Sequence, residues 1–212
     1  MKSVDWKLCL VADAEAAGHR DLVSIIREAA EAGATLVQLR GKKLETRQFL
    51  DMAFRASNVL KHLGIPLIIN DRIDIALSCE ADGIHLGQED LPLPYARKIL
   101  GGNRIIGISV NTTKEAEEAE SGGADYIGVG PIFDTSSKDE LRTILGIKGL
   151  RSIRQRVKIP ILAIGGLTAG TAKEVLSSGA DGIAVISAII GAENFHDATK
   201  SLLSKMEEIH SF

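Results

Sequence analysis

The residues of this chain best suited to chemistry are charged groups at the ends of short apolar runs. Gln38-Leu39-Arg40-Gly41-Lys42 offers two cations and an amide, Asn70-Asp71 follows PLII, and Gly87-Gln88-Glu89-Asp90 follows GIHL. Lys138 lies in a long connection, PIFDTSSKDELRTIL, from Pro131 to Leu145. Two carboxylates, Asp71 and Asp90, can hold Mg²⁺, which keeps several waters and reaches a protein through one or two carboxylates plus substrate phosphates. Arg40, Lys42 and Lys138 around the same ligand suit a diphosphate better than a neutral molecule. Gly165-Gly166 and Ile186-Ser187 suggest a second anion site, built from backbone N–H groups and a short helix N-terminus.

Each feature has a plainer reading. Asp71 and Asp90 could cap the helices that follow them, Lys138 could be a solvated loop lysine, and the Gly-Gly pair could serve only as a turn. Arg40 is harder to dismiss, because an arginine pointing inward from a strand end needs an anionic partner. His85, set among glycines, reads as a packed and hydrogen-bonded side chain rather than a ligand. No Cys and His spacing suits zinc. No GxSxG elbow or Walker-type loop is present.

The elements that must position these groups alternate along the chain. Apolar runs begin at Leu8, Thr35, Pro66, Gly83, Ile105, Tyr126, Ile161 and Gly182, short and rich in β-branched or aliphatic residues, as buried parallel strands are. Helical periodicity fills the gaps: Leu22, Ile25, Ile26 and Ala29 behind a cap at Asp21, then Phe49, Ala53, Ala56 and Leu60. Ile147, Leu150, Ile153 and Val157 form another face, and Ala198, Leu202, Met206 and Ile209 a last one. Thr112 and Glu115 have capping-box spacing. Strict alternation predicts a parallel sheet, and eight units in 212 residues predict a single-domain (β/α)8 TIM barrel over 1–212, with an open doubly wound sheet as the alternative. An internal echo favours closure: AGATLVQL, EADGIHLG, GGADYIGV and SGADGIAV lead into every second strand.

Strand parity then indicates where the site lies. Val37, Leu39, Ile84, Leu86, Ile106, Ile108, Ile127 and Val129 form one nearly aliphatic parity, suited to face the helices. The other parity carries Gln38, Arg40, His85 and Ser109 with Gly83, Gly87, Gly107, Gly128 and Gly130. Polar groups thus collect on the axis, towards the strands' carboxyl ends, where barrel enzymes keep their sites.

Composition agrees with an ordinary globular protein: 45% hydrophobic, 25% charged. A net charge of −3 argues against bulk nucleic-acid binding. No stretch is long enough to span a bilayer, and the first residues do not make a convincing secretory signal. Cys9 and Cys79 read as buried free thiols in a reducing cytoplasm.

The segments VQLRGKK, IINDR, DGIHLGQEDLP, IIGISV, GADYIGVGPIFDTSSK, AIGG and GADGIAVIS, in that order across nearly the whole chain, resemble the thiamine phosphate synthase family. The resemblance implies a Mg²⁺-dependent transferase that couples 4-amino-5-hydroxymethyl-2-methylpyrimidine diphosphate to a thiazole phosphate, releasing pyrophosphate. It implies a pyrimidine diphosphate site at Gln38, Leu39, Arg40, Gly41, Lys42, Asn70, Ser109 and Lys138, with Arg40, Lys42, Ser109 and Lys138 acting in catalysis. It implies Mg²⁺ at Asp71 and Asp90, and thiazole phosphate at Thr135, Ser136, Ser137, Gly166, Ile186 and Ser187. It also suggests a homodimer. Three positions depart from the family pattern: Gly41 stands for Glu, Ser137 for Thr, and Asn111 for a common His. The rival readings are the family's thiazole tautomerase activity, which needs an acid–base residue and no diphosphate site, and a catalytically silent barrel that binds a phosphorylated ligand. Other phosphate-binding barrels, such as sugar-phosphate epimerases, share the Gly-Gly feature without the IINDR and HLGQED pair.

Overall fold

A computed structural model describes residues 4–135 and 143–207. Its strands are β1 Leu8–Asp13, β2 Leu36–Arg40, β3 Leu67–Asn70, β4 Gly83–Leu86, β5 Ile105–Val110, β6 Tyr126–Val129, β7 Ile161–Ile164 and β8 Gly182–Val185. All neighbours pair in parallel and β8 returns to β1, closing the barrel. The open-sheet alternative is therefore excluded. The helices are α1 Ala14–Ala17, α2 Leu22–Glu31, α3 Thr46–Leu63, α4 Ile73–Ser78, α5 Leu93–Leu100, α6 Thr113–Ser121, α7 Gly146–Arg154, α8 Ala169–Ser177, α9 Ser187–Ile190 and α10 Phe195–Glu207.

The internal echo has a physical cause. Three residues before each even strand the backbone turns left-handed, at Gly33 (φ 112°), Glu80 (φ 54°), Gly123 (φ 85°) and Gly179 (φ 106°). A small buried residue follows: Ala34, Ala81, Ala124 or Ala180. Next comes Thr35, Asp82, Asp125 or Asp181, which grips the start of the preceding odd strand twice. Its N–H donates to the carbonyl of Leu8, Leu67, Ile106 or Ile161, at 2.8–2.9 Å. Its side-chain oxygen accepts the N–H of that same residue, at 2.8–3.0 Å. A turn that needs positive φ and a clamp that needs a short oxygen-bearing side chain explain why Gly-Ala-Asp recurs.

The helix signals hold with local amendments. Asp21 accepts the Val23 N–H at 3.3 Å at the head of α2, and Thr112 with Glu115 forms the expected capping box on α6. On α7 Leu150 and Ile153 are buried, but the helix stops at Arg154 and Val157 packs from the segment beyond it. On α10 the buried column is Thr199, Leu202 and Met206; Ala198 is only half-buried. Thr199 takes the inward place because its hydroxyl donates to the Phe195 carbonyl at 2.7 Å, leaving its methyl to pack. Ile209 lies outside the described residues. Cys9 and Cys79 are free and buried, and burial pushes the Cys9 thiol up to about 12, leaving it inert.

The parity reading locates the interior, and the glycines there have a steric use. A Cβ on Gly107 would sit 2.1 Å from the Tyr126 ring, and one on Gly128 would lie 2.9 Å from His85 Cε1. These glycines are slots for large side chains crossing the axis.

Candidate active site

Gln38, Arg40, Asn70, His85 and Ser109 line one pocket on the barrel axis, with Tyr126 below them. Alternation along β2 turns Gln38 and Arg40 inward, while Leu39, wholly buried, packs on the opposite face. Leu39 can therefore offer a ligand backbone atoms only. A Cβ at Gly41 would press on Leu44 at 2.8 Å, so a side chain at that position starts out towards the apolar Leu44 and Phe49.

Arg40 already has its anionic partner, and it comes from the chain itself. Its guanidinium pairs with Asp13 at the end of β1, with the two side chains 12% and 4% exposed. A second carboxylate, Glu15, lies 3.5 Å away and also accepts the Lys43 N–H at 3.1 Å. Asp13 was missed in the sequence although the signal was there: it ends LCLVAD as Asn70-Asp71 ends its strand. Asp13 also accepts the Ala16 N–H at 2.9 Å, capping α1, so one carboxylate both starts a helix and orients Arg40.

Asp71 and Asp90 are not helix caps: Arg72 and Pro92 occupy those positions, without side-chain capping bonds. The two carboxyl groups lie within hydrogen-bonding reach of each other. Burial, then the hydrogen bond and negative charge of Asp90, push Asp71 up to about 6, against the opposing pull of Lys42 and Arg40. Asp71 is held there by a left-handed backbone (φ 62°) and by its N–H donating to the His85 carbonyl at 2.9 Å. Asp90 bends back to accept the Gly87 N–H at 2.6 Å. Two carboxylates forced together, with the proton affinity of Asp71 raised, are a donor set that a divalent cation fits. Among the described residues no cluster of three or more His, Cys, Asp or Glu offers a competing metal site.

A second pocket adjoins the first, with Ile164 and Ala184 lining both. Thr135, Gly166, Ile186 and Ser187 line it together. The start of the sixth loop is stitched to the end of β7: Ile132 N–H donates to the Ile164 carbonyl at 2.9 Å and Phe133 N–H to Gly165 at 3.1 Å. Gly165 and Gly166 both have positive φ, and a Cβ on Gly166 would meet the Asp134 carbonyl at 2.4 Å. Only glycine lets the two loops approach this closely. Ser136, Ser137 and Lys138 lie outside the described residues.

Asn111 anchors that loop from below. Its side-chain nitrogen donates to the carbonyls of Gly130 and Thr143, each at 3.1 Å. Gln88, which the sequence offered only as part of the Gly87-Gln88-Glu89-Asp90 run, donates to the Ser109 carbonyl at 2.6 Å and ties the fourth loop to β5.

This geometry has counterparts of known kind. Residues 8–189 match the family model described as thiamine monophosphate synthase. The chain belongs to that family. The thiamine-phosphate synthase of Syntrophomonas wolfei is 46% identical over 95% of this chain and 97% of its own. That of Moorella thermoacetica is 47% identical over 93% and 94%. Among solved structures, thiamine phosphate pyrophosphorylase from Pyrococcus furiosus superposes with a TM-score of 0.88 at 40% identity, covering 98% of each chain. That relative thus shares this barrel from end to end, and among the described residues no helix is long and apolar enough to cross a membrane.

Proposed function

We propose that this chain is a thiamine-phosphate synthase, a transferase joining the pyrimidine diphosphate to a thiazole (carboxylate) phosphate with release of pyrophosphate. The observation that carries the reading is the pairing of the pockets. An axial pocket edged by Arg40 and close to the Asp71–Asp90 pair abuts a glycine-lined pocket suited to a second anion. Membership of the family, at 46–47% identity to thiamine-phosphate synthases over more than nine-tenths of the chain, supports the same reading.

In this reading Gln38, Asn70 and Ser109 hold the aminopyrimidine on the axis. Arg40, Lys42 and Lys138 stabilise the negative charge that develops on the departing pyrophosphate. Asp71 and Asp90 hold Mg²⁺, which when bound neutralises diphosphate charge. Thr135, Ser136, Ser137, Gly166, Ile186 and Ser187 hold the thiazole phosphate, so that the thiazole nitrogen faces the exocyclic methylene of the pyrimidine. The electron-rich aminopyrimidine can carry positive charge at that methylene, so loss of pyrophosphate can precede attack. No protein nucleophile is needed. Two buried free thiols suit a reducing compartment, and we place the enzyme in the cytoplasm, as a homodimer.

Asn111 weighs against the tautomerase alternative, since its amide neither gives nor takes a proton at neutral pH and is committed to two loop carbonyls. The test is product analysis after incubating purified protein with Mg²⁺ and both substrates. Thiamine phosphate and stoichiometric pyrophosphate are expected. Isomerisation of the thiazole carboxylate phosphate without coupling, or no reaction, would overturn the proposal.

A further inference from the structure

Arg20, in the connection from α1 to α2, spends its whole guanidinium on backbone carbonyls. Nε donates to Ala17 and Nη2 to Ala16, each at 3.0 Å, at the end of α1. Nη1 crosses to the last residue of α9, donating to the Ile190 carbonyl at 2.5 Å. The guanidinium carbon also lies over the Phe195 ring at the head of α10, 5.7 Å from its centre. The proposed reaction gives Arg20 no part, yet this one side chain staples the ends of two short helices that both start at the mouth of the barrel.

The two ends of the staple are not equally secure. Asp13 caps α1 at its head, accepting the Ala16 N–H while it holds Arg40. Helix α9 is four residues long and has no side-chain cap. Its turn is closed by the Ile190 N–H donating to Ile186 and the Gly191 N–H to Ser187, each at 2.9 Å. A helix this short is not stable by itself. Burial of Ile189 and Ile190 presses it against the barrel, but apolar packing is non-directional and does not fix the helix along its axis. Among the described residues, the contact from Arg20 is the one side-chain hydrogen bond that α9 receives. Where α9 stands matters, because Ile186 and Ser187 at its start line the glycine-rich pocket.

We propose that Arg20 is a positioning residue for the thiazole phosphate: rooted on α1, it sets where α9 stands and so where Ile186 and Ser187 meet the ligand. This rests on the synthase reading. Geometry rather than charge is the agent, since a planar fork holds two helix ends at a fixed spacing and the compact ammonium of lysine does not. Arg20 is exposed, so removing it leaves no buried charge unpaired and the variant should fold.

The experiment is amide hydrogen exchange on the full-length protein, alongside steady-state kinetics. In Arg20→Ala the amides of Ile190 and Gly191 should exchange ~10-fold faster or more, with those of β8 unchanged. KM for the thiazole phosphate should rise ~10-fold, with kcat and KM for the pyrimidine diphosphate nearly unchanged. Arg20→Lys, which keeps the charge, should show most of the same rise. Unchanged exchange at α9, an unchanged KM for the thiazole phosphate, equal rises in both KM values, or wild-type KM in Arg20→Lys would each overturn the inference. If the wild type makes no thiamine phosphate, the synthase reading fails and this inference with it. A wild type that couples normally, with Arg20→Ala indistinguishable from it, sinks this inference alone.

Discussion

Replacing Asp71 by Asn should make the metal-free protein more stable while removing its response to Mg²⁺. Burial and the neighbouring Asp90 raise Asp71 from 3.8 to about 6, so at neutral pH the fold holds a carboxylate that would rather be protonated. At full value that rise is worth about 3 kcal/mol. Asp71 is only half-buried and shares its charge with Asp90, so solvent screening brings the expected gain to about 1–2 kcal/mol. The backbone makes Asn the right probe: φ is 62°, a region that Asn tolerates and Ala does not, so Asp71→Ala would add strain to the charge effect. The sign follows from proton uptake. The folded state binds the proton more tightly, so stability from this group is present below the unfolded value of 3.8 and is lost as pH rises through about 6. Urea unfolding of both proteins without metal should therefore show the Asn variant ahead at pH 7.5 and the two converging near pH 4. Added Mg²⁺ should stabilise the wild type at pH 7.5 and leave the variant unmoved. A variant no more stable at pH 7.5, an advantage that persists unchanged at pH 4, or an equal Mg²⁺ response would refute the reasoning.

Glu80→Gly should stabilise the fold by about 0.5–1 kcal/mol in denaturant unfolding, because its φ of 54° is the one left-handed turn of the repeated clamp without glycine. The 3.4 Å pair it forms with Lys61 is exposed and contributes little. Gly166→Ala should raise KM for the thiazole phosphate on the order of 10-fold or more, with KM for the pyrimidine diphosphate nearly unchanged, since its Cβ would push on the Asp134 carbonyl; equal effects on both substrates would count against the two-pocket assignment. Lys138→Ala should slow coupling by ~100-fold, read in initial rates at saturating substrates. An unaffected rate would leave Lys138 a surface lysine.

Strand parity was legible because its cause is local: alternation places Gln38 and Arg40 on one side of β2 and Leu39 on the other whatever the rest of the chain does. The Gly-Ala-Asp repeat was visible as a pattern, yet its cause was not, since each clamp joins residues 15–27 apart in sequence. The same limit hid the Asp13 partner of Arg40, 27 residues away, and the bonds from His85 to Tyr126 and Ser109. The use of the axial glycines was hidden for a related reason. A glycine and the ring that fills its place stand on different strands, so composition shows the space without showing what occupies it. On α10, Ala198 looked like the better core residue than Thr199, because periodicity does not reveal that a threonine hydroxyl can be satisfied by its own helix.

The balance of charge gives the carboxylates a role beyond the proposed ligation. Arg40 and Lys42 would repel each other and collapse onto water if they stood alone at the mouth of the barrel. Asp13 and Glu15 hold the first, and Asp71 with Asp90 draws on both. Among the described residues, four carboxylates stand against these two cations, a poor reception for a diphosphate. A divalent cation between Asp71 and Asp90 would bring that balance to neutral. It also frees part of the Lys42 and Arg40 field for the ligand, so metal and diphosphate should bind with positive coupling rather than independently. The coupling should weaken with salt at the exposed Lys42 side more than at the buried Arg40–Asp13 pair, where screening is least.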